Sequence, residues 1–300
     1  MDFSYMLFVH HPVRTLAFVA LMLAFISLWI YKKPWLWGSF LFLSFVFAFS
    51  STLCDYKIFV ALVPLCGAHL VLATEIKGGV RIAAIVVAIL FSALLSFHLA
   101  PGFHNWNLGT MQISHNAPSI SSFLNFDTPF IGFFPLALTV PLICSRMHGY
   151  SIVRQTILFT IIGIVILLIG ALYLHIVAID LKVPYIAAIW LIKNLFFVTI
   201  PEEGFFRGFL QRELHKYIST KWRGAKWGGV ISIIVISLLF ALLHIGFTHN
   251  LPFLMLTFVA SIFYGTVYHV TRSIESAIFC HYIVNLLHFF CFTYPVLSHI

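Results

Sequence analysis

The chain has 300 residues, 61% of them hydrophobic and 9% charged, with mean hydropathy +1.03 and a formal net charge of +8. An ordinary soluble domain is about a quarter charged, so a water-soluble globule is excluded and an all-α, polytopic membrane bundle is the fold class that follows. The basic excess does not point to nucleic acid, because no RNA- or DNA-binding motif is visible and Lys and Arg mostly punctuate the ends of apolar runs.

Ten apolar runs are candidate spans, at about residues 15–31, 35–52, 57–75, 79–98, 130–145, 155–179, 185–210, 228–246, 251–270 and 274–292. Eight to ten transmembrane helices are expected, with the 33 phenylalanines on a lipid-facing surface. The first run shows no small-residue cleavage site of a signal peptide. Only Lys32, Lys33 and Pro34 separate it from the second, which predicts a tight hairpin. The fifth run is short, holds Pro135 and Pro141, and reads as kinked or re-entrant. If the spans alternate, Lys32, Lys33, Lys77, Arg81, Arg146, Arg154, the basic stretch 212–226 and Arg272 share one side, which is then cytoplasmic. Both chain ends fall on the other side.

Residues 100–127 are rich in Gly, Pro, Asn and Ser and read as an external cap or loop. Its His104 and His115 read as solvated histidines rather than metal ligands. Cys54, Cys66, Cys144, Cys280 and Cys291 form no CxxC pair and read as small buried hydrophobes. No internal repeat divides the chain. One integral-membrane domain, 1–300, is expected, with residues 185–292 as the core that carries chemistry.

That core contains the one pair of carboxylates set well inside an apolar run, Glu202 and Glu203. An ionised group at such a position costs several kcal/mol unless paired. Glu203 and Arg207 are spaced i,i+4 and can neutralise each other as a structural pair. Glu202, about 100° round the helix, is not accounted for in this way. Later runs offer partners: Phe240 and His244 are i,i+4, His281 and Asn285 are i,i+4, and His288 lies one turn further. At about 1.5 Å per residue, Glu202 lies about 12 Å and His244 about 22 Å deep counted from the polar hairpin 211–228, and His281 about 10 Å deep counted from the start of its own run on the same side. Gly204 and Gly208 would let a neighbouring helix approach closely.

Glu202-Glu203-xxx-Arg207, Phe240-xxx-His244 and His281-xxx-Asn285 occur in this order on separate apolar runs, and in this the chain resembles the CPBP family of intramembrane proteases, the Abi group that includes the CAAX prenyl endopeptidases. The resemblance covers about residues 185–292 and implies hydrolysis of a peptide bond within the membrane. It implies Glu202, His244, His281 and Asn285 as catalytic residues, with Glu203, Arg207 and Phe240 in support. The chemistry suits the residues. A carboxylate in an apolar setting is a competent general base for water, and imidazole and amide N–H groups can stabilise an oxyanion. Glu202, His244 and His281 also suit a zinc site with an open position for water, so metal assistance stays open beside direct activation. The expected partners are membrane lipid and a membrane-anchored or lipidated peptide or protein, and the expected location is a bacterial inner membrane. A proton- or metal-coupled transporter and a non-catalytic scaffold or immunity-type membrane protein are the competing readings.

Overall fold

In a computed structural model, residues 9–142, 149–221, 227–246 and 250–298 are described. Cys144, Arg146 and residues 222–226 of the basic stretch lie outside them. The described residues are 72% helical, an all-α bundle as expected. Among the described residues, five helices are long and apolar enough to cross a membrane: α1 (Pro12–Ile30), α4 (Gly79–Ser96), α6 (Gly149–Tyr173), α11 (Leu251–Thr271) and α12 (Ile274–Cys291). Shorter apolar helices are α2 (Pro34–Ser50), α3 (Phe59–Leu72, entered through a 3-10 turn at Tyr56–Ile58) and α10 (Gly228–Leu243).

Contacts divide the chain into two compact units that interleave in sequence. The first comprises Met1–Gly109, Ser122–Leu142 and Tyr185–Phe205, and the second Thr110–Ser121, Ile143–Pro184 and Phe206–Ile300.

In the first unit, prolines start α1 and α2, where a missing N–H costs nothing. The two helices are tied together by the buried Ser44 hydroxyl, which donates to the Ala17 carbonyl at 2.8 Å. The fifth apolar run forms α5 (Phe130–Leu138), nine residues and so about 14 Å long. That is about half a bilayer's hydrocarbon thickness. Phe130 to Ala137 are all buried. Phe25 meets Phe133 edge-on at 5.1 Å, and Phe45 stacks on Phe130 at 5.5 Å. The phenylalanines are therefore not only a lipid-facing surface. Phe25, Phe126, Phe130 and Phe133 are 0% exposed and build the interior around α5.

In the second unit, the buried face of α6 is Thr156, Thr160, Gly163 and Leu167, a stripe at helical spacing. A Cβ on Gly163 would come within 3.1 Å of the Phe263 ring of α11, and Thr156 donates to Ser276 Oγ of α12 at 2.7 Å. Small residues let these helices approach closely, as in membrane bundles. The opposite face exposes Val153, Ile157, Ile161, Val165 and Ile169, as lipid contact demands. α12 is capped by Ser273, whose hydroxyl accepts from Ser276 N–H and donates to Glu275.

Within residues 100–127 a two-stranded sheet forms, β1 (Trp106–Met111) with β2 (Ile120–Leu124). The loop-rich composition concealed these strands; within β1, Gly109 takes φ 101°, a backbone conformation open to glycine.

Candidate active site

The glutamates stand on a helical path that is not uniformly α. It runs α7 (Ala187–Lys193), a π-helical turn at Asn194–Thr199, α8 (Ile200–Glu203), a second π-helical turn at Gly204–Gln211, then α9 (Arg212–Lys221). Pro201 supplies a cause for the first wide turn. It lacks an N–H, and its ring would clash with the carbonyl four residues back in α geometry. Turns of this kind recur at functional sites.

In the first unit, Glu203 is 0% exposed and Glu202 is half-buried. α5 crosses this path in backbone contact. A Cβ on Gly132 would lie 2.3 Å from the Pro201 Cα, and one on Gly204 would lie 3.0 Å from the Gly132 Cα. Gly204 thus does admit a close neighbour, and that neighbour is α5. Further along the same path, Lys193 Nζ donates to Ser122 Oγ at 3.4 Å.

In the second unit, the other two motifs and the arginine of the first converge. Arg207 is 0% exposed. Its Nη2 donates to the Ser261 carbonyl at 3.0 Å and to Ser261 Oγ at 2.7 Å. Its guanidinium lies 4.9 Å from the Phe240 ring centre and 5.4 Å from that of Tyr264. His244 ends α10 in a 3-10 turn, His244–Gly246. Its Nδ1 is 2.7 Å from the Phe240 carbonyl. A carbonyl only accepts, so Nδ1 carries the proton, and in the neutral ring Nε2 keeps its lone pair. The Phe240 and His244 rings are also in contact, 4.5 Å apart. The four-residue spacing of Phe240 and His244 therefore fixes both the tautomer and the ring position.

His281 is 5% exposed. It stacks on Tyr264 at 4.5 Å and 13°, and meets Phe240 edge-on at 6.0 Å. His244 and His281 thus lie against the same phenylalanine, despite counted depths that differ about twofold. Phe240 lies one turn before His244 on α10, so its ring bridges the difference in counted depth between the two histidines. Asn285 is half-buried one turn after His281. His288 packs against Tyr294 at 5.1 Å.

Ser261, Tyr264 and Gly132 were not singled out by sequence reasoning. Each is an unremarkable residue type inside an apolar run, and only the packing gives it a partner. Among the described residues, no three His, Cys, Asp or Glu side chains are grouped so as to hold a metal ion.

Two histidine–carboxylate contacts lie in the first unit away from these residues. His104 Nε2 is 3.5 Å from Asp55. His98, just past the end of α4, is 2.8 Å from the buried Asp127. Asn105 Nδ2 donates to the same Asp127 oxygen at 3.1 Å. The hydrogen bond to Asp127 holds the His98 pKa above the usual imidazole value, although partial burial opposes this.

A comparison with protein families matches residues 184–287 to the family described as type II CAAX prenyl endopeptidase Rce1-like. No curated protein and no solved structure matches the chain significantly. The matched segment contains all three motifs, and the long apolar helices indicate an integral membrane protein. Residues 184–287, about a third of the chain, are thus similar to the Rce1-like family of type II CAAX prenyl endopeptidases.

Proposed function

We propose that the chain hydrolyses a peptide bond of a membrane-associated or lipidated protein or peptide by direct activation of water. The observation that carries this reading is the meeting of His244 and His281 on Phe240, with His244 held in one tautomer. Glu202 serves as the base that takes a proton from water, and His244 Nε2 serves as a hydrogen-bond acceptor for water. The hydroxide adds to the peptide carbonyl carbon. His281 and Asn285 donate to the resulting oxyanion, an interaction typically worth about 3 kcal/mol per donor. The proton held by Glu202 passes to the amide nitrogen, the C–N bond breaks, and an acid and an amine leave. Glu203 and Arg207 support the helix that presents Glu202.

A zinc-assisted form would draw on Glu202, His244 and His281, the ion acting as a Lewis acid on the carbonyl oxygen. No step above is routed through it, and elemental analysis of the purified protein distinguishes the two forms. The family resemblance supports a lipidated substrate, and a bacterial inner membrane is the proposed location.

Purified protein in liposomes is expected to cleave a prenylated, membrane-bound peptide. Glu202→Ala or His244→Ala should lower the rate by about 10³-fold or more. Full cleavage by either folded variant would overturn the assignment. Proton flux that depends on Glu202, without cleavage, would favour transport instead.

A further inference from the structure

We propose that Tyr264 and Ser261 of α11, a helix that carries none of the three motifs, are positioning residues of this site. Tyr264 sets the plane of the His281 imidazole, and Ser261 sets the register of the segment bearing Arg207. The inference rests on the reading of His281 as an oxyanion donor.

Register comes first. Arg207 and Gln211 are four residues apart, and so are their partners on α11. Arg207 donates to Ser261 Oγ and to its carbonyl, and Gln211 Nε2 donates to the Gly265 carbonyl at 3.0 Å. A Cβ on Gly265 would sit 2.8 Å from Gln211 Oε1. Gly265 is therefore what lets this amide reach the α11 backbone. Two polar rungs, each buried, lock residues 207–211 to α11 at one register. A slip by one residue would break both.

Orientation comes second. Ser261 and Tyr264 are three residues apart and share a face of α11. The Tyr264 ring is 2% exposed and lies nearly parallel to the His281 ring, while Phe240 closes on His281 from a perpendicular direction. Imidazole N–H bonds lie in the ring plane. Fixing that plane fixes the direction in which His281 donates, which is what an oxyanion donor requires. The Arg207 guanidinium lies over the rings of both Tyr264 and Phe240, so the two aromatics are themselves held in place.

The test uses the full chain in nanodiscs with isotope-labelled histidine. The His281 ring-proton resonance, identified by its loss in His281→Gln, should be displaced upfield by the Tyr264 ring current. Tyr264→Leu should move it downfield, and Tyr264→Phe should leave it in place. In the cleavage assay, Tyr264→Leu should lower kcat roughly 10- to 100-fold with KM nearly unchanged, the cost of a misplaced group. Tyr264→Phe should keep most of the rate. Ser261→Ala, a smaller change that guards against misfolding of the leucine variant, should lower kcat about tenfold by loosening Arg207.

A resonance unmoved in Tyr264→Leu would overturn the positioning of His281. So would a kcat unchanged in that variant while the resonance moves, or losses in KM and thermal stability that account for the whole effect. A wild-type protein that shows the displaced resonance yet cleaves nothing would overturn the endopeptidase reading alone.

Discussion

A histidine at a helix end loses its rotational freedom when the carbonyl four residues back and that residue's own ring both hold it, as Phe240 holds His244. The same logic of local environment applies to groups outside the membrane-spanning helices. Burial first, and Asp55 second, push the Cys54 thiol up to about 12. At pH 8 almost none of it is thiolate, the reactive form. Maleimide treatment of the folded protein at that pH is expected to leave Cys54 unmodified by peptide mass spectrometry, with labelling only after denaturation. The His98–Asp127 contact makes a prediction with a definite sign. Because the folded pKa of His98 is raised, its contribution to stability is fully present below the unfolded value of about 6.5 and is lost as pH rises through the folded value. Thermal unfolding in detergent should show a falling midpoint over that window, and Asp127→Asn should flatten it.

At the scale of elements, the path from Ala187 to Leu210 shows how proline and glycine shape a segment that reads as one apolar run. Pro201 accounts for a wide turn before the glutamates, and Gly132 with Gly204 allow α5 to cross with backbone touching backbone. No side chain larger than hydrogen fits at Gly132. Gly132→Val should therefore destabilise the protein by about 3 kcal/mol, read as a lowered unfolding midpoint, and should reduce cleavage in step with the folded fraction. The apolar character of the fifth run and its prolines announced a short or kinked element. They did not show that Phe130 to Ala137 would be buried on all sides, because a lipid-facing and a protein-facing phenylalanine look alike in sequence.

For the whole molecule, the apolar faces left exposed on α4 and α6 have no counterpart in a soluble protein. The protein should stay with the membrane fraction through high salt and alkaline carbonate and be released by detergent alone. Release by carbonate would contradict a bilayer-spanning fold. Composition and hydropathy by themselves determined the helical membrane class and the approximate positions of the apolar helices among the described residues, because an unsatisfied backbone cannot stay in lipid and leaves a run of apolar residues little choice but to coil. The order of the three motifs likewise made Glu202, His244 and His281 candidates. Only the tertiary structure decided that Ser261 anchors Arg207, that Tyr264 lies flat on His281 and that α5 is an interior helix. Those facts depend on which faces of distant helices meet, and periodicity within one helix carries no information about the surface it will find.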